Sequence, residues 1–239
     1  MNATARPLPR DLALALALLA LLLCWEASGL DLVVAGWYGS ASGFALRDAW
    51  VTRNLLHDGG RLASGVALAV CVIAAWRGGP AGRGRRLAWV GVVLACLVTV
   101  PALKRLSGTS CPWDLSLFGG SVSYVPHWML TVLDGGPGHC FPSGHAVAAF
   151  AFLPLYFQWR GHRPRLAFVL LASVLAAGAL FGWAQLARGA HFPSHTLWSA
   201  WICWALGAAA ARWIDGERAP TDTAVGRLEP VVDSMNSGA

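Results

Sequence analysis

Charged residues are scarce in this sequence. Asp, Glu, Lys and Arg together make up 13% of its 239 residues, whereas hydrophobic residues make up 56%. An ordinary soluble domain has roughly 25% charged residues, so the composition predicts a membrane protein that contacts membrane lipids. The formal net charge of +6 comes from several short clusters. We therefore interpret it as membrane topology and expect no nucleic-acid partner.

The cysteines lack any metal-binding spacing. None of the six belongs to a CxxC pair or a Cys/His finger. Four lie inside apolar runs, where a free cysteine usually packs as a small hydrophobic residue. We therefore expect burial for Cys24, Cys71, Cys96 and Cys203.

The N-terminus lacks a cleavage site. Arg6 and Arg10 precede an apolar run from Leu12 to Leu23, as in a signal peptide, but no A-x-A type site follows. Further apolar runs come later in the chain. We therefore predict an uncleaved first transmembrane helix.

Six apolar runs are close to the length of about 20 residues that a transmembrane helix needs. They lie at residues 11–27, 62–77, 87–103, 144–159, 165–184 and 194–213. The predicted fold is all-α, a polytopic membrane protein with six transmembrane helices in a single domain, 1–215. Small and polar residues dominate from 216 to 239, which predicts a disordered tail.

Positive charges mark one side of this bundle. They lie before span one, between spans two and three, between spans four and five, and after span six: Arg6, Arg10, Arg77, Arg83, Arg85, Arg86, Arg160, Arg163, Arg165, Arg212 and Arg218. Short cytoplasmic loops are rich in Arg and Lys, so we expect a bacterial inner-membrane protein with both termini in the cytoplasm. Segments 28–61, 104–143 and 185–193 then face the periplasm, and most of the candidate functional side chains lie there.

The stretch Pro142-Ser143-Gly144-His145 begins the fourth span. A helix N-terminus offers free N–H groups and the positive end of the helix dipole, which together bind anions. Ser143 can cap this helix or bond the anion. An ordinary helix start with a histidine at the membrane boundary explains the same residues, so this stretch alone leaves both interpretations open.

The stretch from Arg188 to His195 begins the sixth span. Its two histidines, His191 and His195, are four residues apart, which places them on one face of a helix; anchoring of a helix end is the alternative.

Lys104 lies at the outer end of span three, where the positive-inside rule disfavours a cation. A lysine at a membrane boundary is usually a snorkelling anchor, but its place on the outer side favours an anionic ligand.

Together these segments resemble the type 2 phosphatidic acid phosphatase (PAP2) family. The family pattern is Lys, six residues, Arg-Pro; then Pro-Ser-Gly-His; then Ser-Arg, five residues, His, three residues, Asp. Here the first motif reads Lys104 to Cys111-Pro112, and the second is complete at 142–145. The resemblance covers residues 100–200 and implies a helical core like that of PAP2 proteins and the related haloperoxidases. A cysteine stands where the first arginine is expected.

The third motif departs from the pattern at three positions, and Ala184 stands where the family has serine. Gln185 stands where the family has arginine, and His195 where it has aspartate, while His191 is in place. Arg188 follows Gln185 by three residues, close to one helical turn, so it could supply a guanidinium from the same side.

The resemblance implies a chemistry for these residues. His191 is the nucleophile that forms a phosphohistidine, and His145 is the general acid that protonates the leaving lipid oxygen. His195 takes the place of the aspartate that orients the nucleophile. No metal or cofactor is needed. The residues implied to hold the phosphate oxygens are Lys104, Ser143, Gly144 and Arg188.

Two cysteines, Cys111 and Cys140, lie in the long periplasmic segment 104–143. Disulfides form in such an oxidising compartment. We hypothesise a disulfide between these two cysteines that ties the first motif to the second.

The predicted function is hydrolysis of a lipid phosphate or lipid diphosphate at the periplasmic face. Within the same family, a phosphotransferase that moves phosphate from polyprenyl diphosphate to lipid A is an alternative. A second class is a metal site built from His139, His145, His191 and His195. A third is a non-catalytic protein that binds lipid phosphates, which the altered motif positions favour.

Overall fold

The computed structural model describes residues 10–129 and 131–216, which form a bundle of helices. The helices are α1 (Arg10–Ser28), α2 (Leu30–Ala35), α3 (Gly59–Arg77), α4 (Arg83–Leu106), α5 (Val147–Phe150), α6 (Pro154–Trp159), α7 (Pro164–Ala187) and α8 (Pro193–Gly216). A small antiparallel hairpin pairs β1 (Gly39–Ser40) with β2 (Gly43–Phe44). The all-α prediction is confirmed.

The second helical span begins earlier than predicted. A π-helical segment, Val51–Asp58, runs directly into α3, so the helix covers 51–77 rather than 62–77. The prediction of its start is wrong because residues such as Arg53 and Asn54 are polar and give no apolar run. Main-chain hydrogen bonds form a helix whether or not its side chains are apolar.

The fourth predicted span, 144–159, is broken into α5 and α6. Pro154 has no N–H group and cannot bond the Phe150 carbonyl four residues earlier. That carbonyl instead accepts the Leu153 N–H at 3.0 Å. The apolar composition of this stretch was predicted correctly, but its continuity as one helix was not.

Four helical stretches among the described residues are long and apolar enough to cross a membrane: Arg10–Ser28, Val51–Arg77, Arg83–Leu106 and Pro164–Ala187. The chain is therefore a membrane protein. Val147–Trp159 is a shorter apolar stretch, and six spans in one domain, 1–215, stay a prediction. The predicted tail lies outside the described residues, apart from Gly216, which ends α8.

α8 is the central helix of the bundle. It contacts α1, α2, α4, α5, α6 and α7. The apolar core around it includes the fully buried side chains of Trp89 and Phe157, which stack with ring centroids 6.5 Å apart. The position of α8 therefore determines how the other helices meet.

The predicted burial of free cysteines is correct for Cys96 and Cys203. Cys71 is partly buried, and Cys24 is exposed. The prediction is wrong for Cys24 because one face of α1 points away from the other helices, where a membrane would cover it.

The arginine-rich helix ends lie together. Arg160, after α6, binds Asp11 at the start of α1 through two hydrogen bonds of 2.5 and 2.6 Å. Arg85, at the start of α4, lies 3.2 Å from His162 in the turn before α7. These contacts place the cationic ends on one face of the bundle, while the side of the membrane that this face occupies stays a prediction.

The first turn of α8 is held by a carboxylate from α2. The buried Asp31 accepts the Ser194 N–H at 3.0 Å and also the Ser194 hydroxyl. It accepts the Trp25 indole N–H at 2.8 Å as well. A carboxylate at a helix N-terminus satisfies free N–H groups and interacts favourably with the helix dipole. Asp31 therefore fixes the start of α8.

We expect Asp31→Ala to destabilise the protein. The change leaves the Ser194 N–H, the Ser194 hydroxyl and the Trp25 indole without their acceptor, and each buried unpaired donor costs about 1–3 kcal/mol. The midpoint of thermal unfolding in detergent should fall by several degrees. Asp48→Ala is the control, because the Asp48 side chain is 72% exposed and pairs with Arg53 at the surface. Equal midpoints for Asp31→Ala and the wild type would contradict this role.

Candidate active site

A cavity of about 530 Å³ opens where α4 ends and α8 begins. Six of the predicted site residues line it: Lys104, Cys111, Gly144, His145, Arg188 and His191. Three others, Ser143, His195 and Cys140, are buried in the layer behind its wall. The structure thus brings residues from all three motifs to one place.

His191 lies in the turn that joins α7 to α8. Gly189 forms this turn with a φ of +73°, and a Cβ atom there would lie 2.2 Å from the Phe44 ring, so only glycine fits. The Gly189 carbonyl accepts the Trp113 N–H at 2.9 Å, which ties the turn to the loop after α4. His191 itself is 3% exposed. The turn therefore holds its imidazole in the cavity wall.

The imidazoles of His191 and His195 face each other, with their Nδ1 atoms 3.4 Å apart. If His191 carries its proton on Nδ1, then its Nε2 lone pair faces the cavity. Burial lowers the pKa of His191 well below its ordinary value, the charge of Lys104 lowers it further, and a hydrogen bond to the Cys140 carbonyl raises it. His191 is therefore neutral at neutral pH, the state that a nucleophilic imidazole needs.

A second layer of side chains surrounds His195. The ring centroids of Phe141 and His127 lie 5.3 and 5.9 Å from that of His195. His127 Nε2 is 3.3 Å from Oε1 of the buried Glu26, which also accepts the Trp198 indole N–H at 2.8 Å. Burial lowers the pKa of His127 to about 4. The sequence analysis missed Glu26 and His127, because neither belongs to a motif.

His145 has one bonded and one unbonded nitrogen. Its Nε2 lies 3.0 Å from the Leu56 carbonyl oxygen, which only accepts hydrogen bonds, so Nε2 carries the proton. Its Nδ1 is buried with no hydrogen-bond partner. Burial, followed by the charge of His57 and more weakly those of Arg188 and Arg61, lowers the pKa of His145 to about 4. A buried nitrogen without a partner is unusual in a native protein and indicates a ligand site.

Lys104 lies across the start of the fourth helical stretch. Its Cδ would be 3.1 Å from a Cβ atom at position 144, so Gly144 provides the space for it. The helix begins at Val147, later than predicted. Ser143 caps this stretch, because its Oγ accepts the Ala146 N–H at 3.3 Å, and its side chain is fully buried. Lys104 and Gly144 thus face the cavity, while Ser143 lies behind it.

Cys111 and Cys140 are joined by a disulfide, with their Cα atoms 5.2 Å apart. The bond links the loop after α4 to the segment that precedes Pro142. Cys140 Sγ also lies 3.6 Å from His191 Nδ1. The disulfide therefore connects the first motif to the surroundings of the third as well as to the second.

The structure also bears on the metal-site alternative. Cys140, His191 and His195 each place one donor atom within 4.8 Å of the others. A disulfide sulfur is not a thiolate and does not serve as a metal ligand in this form. Of the other two candidate histidines, His139 is exposed and His145 is bonded to a carbonyl. The four histidines do not form one ligand set.

Gln185 is a cavity residue whose role the sequence analysis missed. Its side chain is 3% exposed, and its amide nitrogen is buried without a hydrogen-bond partner. An amide NH₂ group donates two hydrogen bonds, so this position offers a neutral donor where arginine was expected.

Arg188 lines the same cavity, and its Nε donates to the Arg47 carbonyl at 2.9 Å. That bond fixes the Arg188 guanidinium at the cavity rim.

Two further cavity residues, His57 and Arg61, lie outside the three motifs. The rings of His57 and His145 stack with centroids 4.6 Å apart and an angle of 23°. The sequence could have identified Arg61. Like Lys104, Arg61 is a cation at the predicted outer end of a span, where the positive-inside rule disfavours one. The helix start at Val51, which was not predicted, brings both residues to the cavity.

The fold and the cavity define a helical membrane protein with a cavity lined by basic side chains and histidines. The sequence model of the PAP2 superfamily matches residues 85–219. This match spans more than half of the chain and includes all three motifs, so the protein belongs to the PAP2 superfamily. Membership supports a phosphatase-type function in general. No curated protein and no solved structure matches the chain with significant similarity.

We expect Gln185→Leu to weaken phosphate binding. The change removes an amide donor from the cavity wall, and a hydrogen bond to a charged group contributes about 1.5–3 kcal/mol, roughly 10- to 100-fold in the dissociation constant. Titration calorimetry with inorganic phosphate measures the change. Gln158→Leu is the matched control, because Gln158 is also buried but lies on α6, outside the residues that line the cavity. Equal affinities in Gln185→Leu and the wild type would contradict the assignment.

Proposed function

We propose that this protein hydrolyses a lipid phosphate or lipid diphosphate at the periplasmic face of a bacterial inner membrane, through a phosphohistidine on His191. One observation carries the proposal. Two buried groups without partners, Nδ1 of His145 and the amide nitrogen of Gln185, belong to residues that line the same cavity as Lys104 and the neutral His191. A phosphate group offers oxygen atoms for the amide and the ammonium, and a phosphorus atom for the imidazole.

In the first step, Nε2 of His191 attacks the phosphorus atom. Nε2 is the attacking atom because Nδ1 faces His195 and Cys140. As the N–P bond forms, the P–O bond to the lipid breaks, and His145 donates a proton from Nδ1 to the leaving oxygen. The products are a phosphohistidine and a lipid with a free hydroxyl or a remaining phosphate.

In the second step, water attacks the phosphohistidine. His145, which has lost its Nδ1 proton, accepts a proton from this water. The O–P bond forms, the N–P bond breaks, and inorganic phosphate leaves. His191 then has its lone pair again, and His145 is protonated for the next cycle.

Positive charge and fixed donors stabilise the phosphoryl group during transfer. Lys104, Arg188 and Gln185 line the cavity on different elements, α4 and the end of α7. Groups already held in place at a partly buried site cost little reorganisation when charge develops in the transition state. His195 acts as a positioning residue, because its Nδ1 contacts Nδ1 of the nucleophile.

The lipid enters the cavity from the bilayer. Ser64 on α3, with Leu97 and Pro101 on α4, lines one wall. Both helices belong to stretches that are apolar enough to cross a membrane, and their outward side chains include Leu62 and Val98, which are 72% and 66% exposed. A headgroup can thus occupy the cavity while its hydrocarbon chain stays among the lipids.

The proposal is tested by His191→Ala with a panel of ³²P-labelled lipid phosphates and diphosphates. We expect the wild type to release phosphate and to form an acid-labile, base-stable labelled protein after rapid quenching. The variant should show neither, because it lacks the attacking nitrogen. His162→Ala is the control, since His162 lies at the opposite, arginine-rich end of the bundle. Full turnover by His191→Ala would contradict the proposal.

The pH dependence of turnover tests the role of His145. Its pKa in the free protein is lowered to about 4, mainly by burial and then by the charge of His57. The protonated, acidic form therefore decreases as the pH rises above this value. A bound phosphate anion favours the imidazolium and raises the pKa in the complex. The pH profile of kcat/KM reports the pKa of His145 in the free protein, and that of kcat reports its pKa in the complex. The descending limb of kcat/KM should therefore lie at lower pH than the descending limb of kcat.

His145→Asn provides the comparison for this pH profile. We expect its residual activity to lack the descending limb, because no imidazole remains at this position to lose a proton. A limb at the same pH in the variant and the wild type would assign it to another group, such as the substrate's own phosphate.

A further inference from the structure

His57 and Arg61 form a cationic wall of the cavity that the family match does not include. Both precede residue 85, where the match to the PAP2 superfamily begins. They are four residues apart on one continuous helical stretch, 51–77, so their side chains project from the same face. The cavity therefore contains an element specific to the N-terminal part of this chain.

The position of His57 relative to His145 indicates which part of a substrate this wall would contact. The two rings stack at 4.6 Å, and the Leu56 carbonyl, next to His57 in the chain, bonds Nε2 of His145. In the proposed function, His145 contacts the oxygen of the leaving group. His57 and Arg61 therefore lie beside the leaving group, whereas Lys104 and His191 contact the phosphoryl group that is transferred.

The cavity is lined by several basic side chains. They are Arg61, Lys104 and Arg188, and the described residues that line the cavity include no aspartate or glutamate. Asp58, which accepts a hydrogen bond of 2.9 Å from Nδ1 of His57, and Asp48, which pairs with Arg53 at 3.4 Å, lie near these cations but are not among the lining residues. A phosphate monoester leaves a neutral hydroxyl, which offers no anionic group to Arg61 inside the cavity.

We propose that His57 and Arg61 form a second phosphate subsite, which holds the lipid-linked phosphate of a diphosphate substrate while His191 attacks the terminal phosphorus atom. This inference rests on the proposed function. The bond that breaks is then the one between the terminal phosphorus and the bridging oxygen, and the leaving group is a lipid monophosphate. Its negative charge increases as that bond breaks, and the Arg61 guanidinium offsets it. The subsite therefore makes the cavity selective for a diphosphate over a monophosphate.

The side from which the lipid would enter is consistent with this placement of the lipid-linked and terminal phosphates. Ser64 follows Arg61 by three residues on the same helix, and both line the cavity. The lipid-linked phosphate at Arg61 would thus lie nearest to α3, on the side from which a hydrocarbon chain enters. The terminal phosphate would lie deeper, between Lys104 and His191.

The test compares two substrates that differ only in the headgroup, a C15 polyprenyl diphosphate and the corresponding monophosphate, in detergent micelles. We expect Arg61→Gln to lower kcat/KM for the diphosphate roughly 10- to 100-fold, the range for loss of a charge-assisted hydrogen bond. The value for the monophosphate should change by less than about twofold. Arg61→Lys should recover part of the loss, because it restores the charge without the planar guanidinium.

Arg53→Gln is the matched control. Arg53 is an exposed cation on the same helical stretch, pairs with Asp48 at 3.4 Å, and is not among the residues that line the cavity. It should leave both substrates unaffected. Equal losses for both substrates in Arg61→Gln, no loss for either, or a wild type that prefers the monophosphate would each overturn the subsite.

Binding of inorganic ligands separates this inference from the proposed function. If the wild type releases no phosphate from any lipid and forms no phosphohistidine, the proposed function fails. The subsite still predicts that the wild type binds inorganic diphosphate at least tenfold more tightly than phosphate by calorimetry, with the difference lost in Arg61→Gln. Equal affinity of the wild type for the two ions would overturn it.

Discussion

The candidate site depends on a main-chain hydrogen bond between its two histidine-bearing segments. The Ser143 N–H donates to the His195 carbonyl at 3.0 Å, and the Ser199 hydroxyl lies 2.9 and 3.0 Å from the carbonyls of these two residues. All three residues are buried, so water does not compete for these bonds. The segment before α5 is thereby fixed to the first turn of α8, which Asp31 caps in turn. The alignment of the two cavity histidines thus depends on α2, which lies outside the family motifs.

In the proposed function, another group takes over part of the role of each charged motif residue that this chain lacks. Cys111 contributes a covalent link to the second motif instead of a charge, and Gln185 contributes a neutral donor. Positive charge comes from Arg188, which lies three residues after Gln185 in the sequence. At the aspartate position, His195 can accept a hydrogen bond but supplies no negative charge, so it orients the nucleophile without stabilising its imidazolium form. The cavity thus keeps basic side chains although both motif arginines are replaced.

Features that depend on local sequence could be predicted, and those that depend on packing could not. Apolar runs located α1, α4, α7 and α8 within a few residues, because a helix that meets lipid must be apolar over its whole length. The same argument missed the start at Val51, where polar side chains face the cavity and the surface. Motif spacing predicted that His145 and His191 belong to one site, and both residues line the same cavity. It gave no role to Gln185, because whether a buried amide finds a partner depends on residues far away in the chain.

Two chemically identical side chains acquire different roles through their hydrogen bonds. The Leu56 carbonyl bonds Nε2 of His145 and leaves Nδ1 without a partner, whereas Nδ1 of His191 faces His195 and leaves Nε2 outside this contact. Both rings are neutral without a ligand, since burial beside several cations disfavours an imidazolium. A phosphate anion offsets these cations and so favours a proton on His145. Nδ1 of His191 lies against the His195 imidazole and the Cys140 sulfur. With the proton of the neutral ring on Nδ1, Nε2 keeps its lone pair. In the proposed function, the substrate's own charge thus converts His145 into an acid while His191 stays a nucleophile.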